Sequence, residues 1–169
     1  MNAIEIRPLR RGDCEHIGPL LREVWLDAYH GIQTNEELLD RSHEVHTPEL
    51  IALEIDDPTM HSVVAVSGRR IIGHARSDLC GGMVDIARLY VLREFYGRGI
   101  GKALLREVDT FFDPRYEVWL DVYEANERAV KFYLSQGYEI MRRATEVQTE
   151  GRDVFEFKMR KKCLESPVA

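Results

Sequence analysis

Gly97-Arg98-Gly99-Ile100-Gly101-Lys102 lies between two segments of opposite character. Before it, Ile86-Ala87-Arg88-Leu89-Tyr90-Val91 is rich in β-branched and aromatic residues; after it, Ala103-Leu104-Leu105-Arg106-Glu107-Val108 places apolar residues at helical spacing. The stretch therefore reads as strand, glycine loop and helix start. Glycines let the backbone bend sharply and approach a ligand without Cβ hindrance. A helix that begins there aims unpaired N–H groups and the positive end of its dipole outward. With Arg98 and Lys102 adding charge, the loop has the chemistry of a phosphate or pyrophosphate cradle. A glycine turn opening an ordinary helix would use the same residues, so the loop alone leaves both readings open.

Competing cradles differ in spacing. A P-loop places Ser or Thr after Gly-Lys and a first Gly five residues upstream; here Ala103 follows and Tyr96 occupies that earlier position. The dinucleotide fingerprint fails at its last glycine, although Asp121 lies downstream where a ribose-binding acid would stand, which keeps a nucleotide-binding module as an alternative. A third pattern, Gln/Arg-x-x-Gly-x-Gly/Ala, fits Tyr96 to Gly101 with Tyr96 departing from its first position. Further on, Asn126-Glu127-Arg128-Ala129-Val130-Lys131-Phe132-Tyr133-Leu134-Ser135-Gln136-Gly137-Tyr138 matches Asn-x-x-Ala-x-x-Phe-Tyr-x-x-x-Gly-Phe/Tyr. In this order and at this separation the two signatures resemble those of the GNAT-type, acetyl-CoA-dependent N-acetyltransferases. The resemblance covers residues 60 to 160; the first 60 residues match only in the order of their elements.

Outward from the loop, His61 to Val66, Ile71 to Ser77 and Met83 to Leu92 read as a meander of strands, with turns at Ser67-Gly68-Arg69-Arg70 and at Cys80-Gly81-Gly82. The loop's helix is expected to run to Phe112, and Glu117 to Val122 to follow as a strand, which makes a right-handed parallel unit. A helix from Asn126 to Gln136 closes on Gly137, and a hairpin follows, Tyr138 to Gln148 and Val154 to Arg160, with its turn at 149–152. Toward the N-terminus, Ala3 to Pro8 reads as a strand. Asp13 stands as N-cap of an amphipathic helix ended by Gly31, and Thr34 and Thr47-Pro48 open further helices.

At 169 residues, with 44% hydrophobic and 31% charged residues, one globular domain over 1–162 is expected, with 163–169 as a disordered tail. No apolar run is long enough to span a membrane, and the N-terminus lacks a secretory pattern. Three scattered cysteines suggest no disulfide framework, and a cytoplasmic location is the default. The net charge of −6 argues against non-specific nucleic-acid binding. His43 and His46 stand three apart with no third ligand in view, so no metal is expected.

The resemblance implies a mixed α/β fold: a central, mostly antiparallel sheet of about seven strands, flanked by helices and splayed at one parallel pair. It implies acetyl-CoA as co-substrate, with backbone groups of Leu89, Tyr90 and Val91 on the pantetheine arm and Gly97, Arg98, Gly99, Ile100, Gly101 and Lys102 on the pyrophosphate. It places Asn126 at a cofactor contact, although an N-cap role is equally natural there. Tyr133 matches the general acid that protonates the CoA thiolate; a packed aromatic like its neighbour Phe132 is the alternative. The base that must deprotonate the amine is open between Asp85 and Asp121, each near a strand end. The region before residue 60 is expected to close over the acceptor, with Tyr29 and His30 lining its pocket. The implied reaction is acetyl transfer to a primary amine, most naturally of a small molecule, by a protein that dimerises in many relatives. A protein N-terminal acetyltransferase and a non-catalytic acyl-CoA sensor are the rivals.

Overall fold

The computed structural model describes residues 3–29, 34–149 and 152–161. Seven strands form one sheet in the order β1-β2-β3-β4-β5-β7-β6. In chain order they are β1 (Ile4–Pro8), β2 (Met60–Ser67), β3 (Arg70–Cys80), β4 (Met83–Val91), β5 (Val118–Tyr123), β6 (Glu139–Thr149) and β7 (Arg152–Lys161). Every neighbouring pair is antiparallel except β4 and β5. The helices are α1 (Cys14–Ala28), α2 (Asn35–Val45) and α3 (Pro48–Asp56) between β1 and β2, α4 (Ile100–Asp109) between β4 and β5, and α5 (Glu127–Ser135) after β5. The expected mixed, mostly antiparallel sheet with one parallel pair is the fold observed.

Side-chain alternation along β3 sorts the helices onto two faces. A Cβ on Gly73 would meet Leu104 of α4 at 2.9 Å, whereas Arg76, of opposite parity, reaches Glu54 of α3. So α4 covers one face, burying Ile100, Leu104, Leu105 and Val108, while α1 and α3 cover the other.

The parallel pair is short. Its register covers only Val84 opposite Val118 and Asp85 opposite Trp119. Just beyond, the β3–β4 register shifts: Arg76 pairs with Arg88 but Ser77 with Ile86, which leaves Ala87 as an extra residue in β4. Such a bulge bends its strand and increases the local twist. The upper half of β4 thus keeps β3 on one side and has no strand on the other, and a cleft opens between β4 and β5.

Some local expectations shift. Helix α4 stops at Asp109 rather than Phe112, where Thr110 Oγ1 donates back to the Arg106 carbonyl at 2.6 Å. Asp13 does not cap α1 with its side chain; its carboxylate turns back to the Arg10 N–H at 2.9 Å and to the Arg7 guanidinium at 2.7 and 2.9 Å. Three helices lie between β1 and β2, one for each of the starts read at Asp13, Thr34 and Thr47-Pro48. Gly31 and the tail 163–169 lie outside the described residues. Among the described residues, no helix is long and apolar enough to cross a membrane.

Candidate active site

The glycine loop adopts the conformation its composition allows. Gly97 and Gly99 sit at φ 74° and 75°, a region costly for any residue with a Cβ. Gly99 is the N-cap of α4, and no side chain caps that end. A Cβ on either glycine would meet no protein atom within 4 Å, so the space beside the loop is open. Gly101 differs: its ideal Cβ would lie 3.7 Å from Phe132 and 3.9 Å from Val91, so it lets α4 close onto α5 and β4. Ile100 is buried and anchors the turn. Lys102 faces the cleft, whereas Arg98 is exposed and lies over the Phe95 ring at 5.0 Å, off the cleft wall.

The cleft between β4 and β5 holds a cavity of about 630 Å³. Leu89, Tyr90 and Val91 line it along the unpaired edge of β4, facing Ala129, Phe132 and Tyr133 on α5. Asn126 lines it too, and its Oδ1 accepts from the Ala129 N–H at 3.2 Å. The amide therefore caps α5 with its oxygen and keeps its NH₂ for another partner.

Beyond the cradle, the walls become aromatic. Trp25 Nε1 donates to Tyr90 Oη at 3.0 Å, and Tyr29 Oη stands 3.4 Å from the same oxygen. The Tyr29 ring meets Trp25 and Tyr123 edge-on, at 5.8 and 5.3 Å. Asp121, Glu156, Arg41 and Arg88 supply the charge at this end. Arg88 is set from behind: Glu54 Oε1 accepts from Arg88 at 2.6 Å and from Arg76 at 2.7 Å, while Ser62 Oγ donates to Glu54 Oε2 at 3.0 Å. Glu54 is buried, as is His46, whose Nδ1 stands 2.8 Å from Ser42 Oγ and whose pKa burial lowers to about 3. Among the described residues, no three His, Cys, Asp or Glu side chains stand together as metal ligands. His30 lies outside the described residues.

The residues singled out for proton transfer stand in different surroundings. Tyr133 lines the cavity with only 9% of its surface exposed. Burial above all, then Tyr90 and Asp85, push its phenol well above the usual range, so it keeps its proton. Asp85 sits where β4 and β5 part, off the cavity wall, and its pKa is pushed up to about 6, first by burial and then by Asp121. Asp121 is exposed on the cavity wall and paired with Lys158 at 3.1 Å. The fold thus brings Asp85 and Tyr133 into each other's field and gives Asp121 a cation.

Residues 22–138 match the model of the acetyltransferase (GNAT) family. The chain belongs to this family. It is 26% identical over 144 residues to a spermidine N(1)-acetyltransferase of Thermoplasma acidophilum, covering 82% of this chain and 89% of that one. It is 34% identical over 91 residues to an uncharacterised N-acetyltransferase of Mycobacterium tuberculosis, covering 51% of this chain and 57% of the other. Its fold superposes on the crystal structure of the PaiA N-acetyltransferase from Thermoplasma acidophilum in complex with coenzyme A, with a TM-score of 0.81, 27% identity and coverage of 95% and 99%. The protein is an acetyl-CoA-dependent N-acetyltransferase.

The residues present fit that co-substrate. The loop glycines leave open space at an uncapped helix start, where a pyrophosphate needs donors and room. The strand edge above the bulge offers main-chain groups to an extended arm. What the sequence reading missed is the side chain of Tyr90, the hub of the aromatic wall, and Glu54, which sets Arg88. Neither belongs to a local motif: Tyr90 meets partners from α1, and Glu54 joins α3 to β2, β3 and β4.

Proposed function

We propose that this GNAT enzyme acetylates the primary amine of a small molecule. The observation that carries the reading is one cavity lined by the glycine loop and by an aromatic wall that bears Asp121 and Glu156 along with Arg41 and Arg88. Aromatic faces and carboxylates together suit an ammonium-bearing acceptor. The relative named for spermidine N(1)-acetylation supports the same class.

In this reading acetyl-CoA supplies an activated acyl group, and the chain's residues orient it and move two protons. Backbone groups of Leu89, Tyr90 and Val91 hold the pantetheine arm. Gly97 to Lys102 take the pyrophosphate through N–H groups and Lys102, with Arg98 contributing from the loop's outer side. The Asn126 amide supplies a further donor. Tyr29, with His30 following it, borders the acceptor. The acceptor arrives as an ammonium and must lose a proton before its lone pair can attack. Asp85, off the wall with its pKa pushed up to about 6, takes that proton through water. Asp121 holds the acceptor's charge at the wall. Tyr133, protonated at working pH, donates to the departing thiolate. Residues 1–162 act as one catalytic domain, in the cytoplasm.

The test is a spectrophotometric assay of free CoA release with acetyl-CoA and a panel of polyamines, amino acids, aminoglycosides and arylalkylamines beside N-terminal peptides. Turnover of a small amine with the acetylated product seen by mass is the expected result. Turnover of peptides alone would move the acceptor to protein N-termini.

A further inference from the structure

Tyr96 stands where the family's loop carries Gln or Arg, so the cradle lacks that side chain's amide or charge. The fold supplies a cation to the same spot from another element. Arg128 in the first turn of α5 reaches across and donates from Nη2 to Tyr96 Oη at 2.7 Å, and its guanidinium carbon lies 3.8 Å from the Tyr96 ring centre. Tyr96 Oη in turn makes a long donation, 3.4 Å, to Asp27 Oδ2 on α1. Asp27 is itself held by Arg93 at 3.0 Å. The phenol's proton thus points to Asp27 and its lone pair to Arg128, which fixes the direction of both bonds.

Among the described residues Arg128 has no carboxylate of its own. Its neighbours are taken: Glu127 pairs with Lys131 and Glu124 with Arg143. Among the described residues it forms no ion pair, and one of its five N–H donors is committed to Tyr96. Tyr96 and Arg128 both line the cavity beside Gly97 and Lys102. An arginine stacked on an aromatic ring keeps its flat fork presented, and one already held loses less rotamer freedom when a ligand arrives. A flat, uncompensated fork beside a phosphate cradle suits a phosphoryl group.

We propose that Tyr96 is a positioning residue that holds Arg128 at the mouth of the cradle, where the guanidinium binds a phosphoryl group of acetyl-CoA. The side-chain N–H donors that the family's loop carries on its own first residue, Gln or Arg, are delivered here from α5, with the phenol as their mount. Acetyl-CoA offers two such groups, the pyrophosphate and the 3′-phosphate, and a cofactor lacking the second separates them.

The test is calorimetric titration of CoA and 3′-dephospho-CoA into the wild-type protein and into Arg128→Gln, Tyr96→Phe and the double variant, at two salt concentrations, with circular dichroism to check folding. Both side chains are largely at the surface of the cleft, so folded variants are expected. Arg128→Gln should weaken CoA about tenfold or more, the effect of losing one charge-assisted contact, and should flatten the dependence of Kd on salt. Tyr96→Phe keeps the ring and loses the hydroxyl, and should weaken CoA several-fold in the wild-type background and not at all beside Arg128→Gln. A loss that vanishes with 3′-dephospho-CoA assigns the 3′-phosphate; a loss that persists assigns the pyrophosphate. Wild-type affinity for CoA in Arg128→Gln overturns the phosphate contact. An additive loss in the double variant, or none in Tyr96→Phe, overturns the positioning role.

Discussion

Replacing Asp85 with Asn should make the protein more stable and less active, and the gain should depend on pH. Among the described residues no side-chain hydrogen bond supports the charged form of Asp85; burial and Asp121 push its pKa from 3.8 to about 6. A carboxyl whose folded pKa is raised favours the folded state only in its neutral form. Its charged form costs nothing below the unfolded pKa, an increasing amount between 3.8 and about 6, and the full amount above that. A shift of about two units corresponds to at most about 3 kcal/mol, and partial solvent screening of this half-buried group lowers the figure to about 1–2 kcal/mol. Asn removes the charge without changing the volume. Near pH 8, urea denaturation of Asp85→Asn should therefore show about 1–2 kcal/mol more stability than wild type, and near pH 4.5 only about a third of that. Wild-type kcat/KM should fall as pH drops through about 6, and the same variant should lose most of kcat together with that fall. A variant no more stable than wild type near pH 8, or equally stabilised at both pH values, would refute the claim that an unsupported buried charge sits there. Full activity with an unchanged acid limb would remove Asp85 from the chemistry.

Other outcomes follow from the same geometry. Gly99→Glu should leave a folded protein, destabilised by about 1–3 kcal/mol because of its positive φ, with no measurable CoA binding by calorimetry. Tyr133→Phe should lower kcat while the Kd for CoA changes little, since it removes one oxygen and no packing; equal loss of both would make Tyr133 a binding residue. Glu54→Gln leaves Arg76 and Arg88 without their shared carboxylate and should cost about 3–5 kcal/mol in urea denaturation. Gly73→Ala should also destabilise, because its Cβ would press on Leu104 at 2.9 Å and on the Tyr90 carbonyl at 3.0 Å.

What the chain reveals by itself is what neighbours in sequence decide. Three glycines between a β-branched run and a helical period can form little else than strand, tight loop and helix, because backbone torsions and helix capping are set within a few residues. The parallel unit then follows from chain handedness, and the resemblance carried by the signature from Asn126 to Tyr138 places α5 beside the cradle. Sequence periodicity likewise marked three helix starts before residue 60, although the side chain of Asp13 went to Arg7 and Arg10 instead of a cap.

Tertiary structure decided which groups meet and how they are charged. Asp85 and Asp121 are the same residue type near the ends of adjacent strands, equal in the sequence as candidate bases. Packing half-buries one with no ion pair among the described residues and sets Lys158 of β7 beside the other, so their chemistry diverges. The cleft depends on one extra residue, Ala87, visible only against the register of β3. The aromatic wall gathers Trp25 and Tyr29, Tyr90 and Tyr123 from α1, β4 and β5, and Tyr96 finds Arg128 thirty-two positions away. A backbone preference is local, so it is written in adjacent residues; desolvation and the pairing of charges depend on whatever the fold brings alongside, and only the folded chain supplies that.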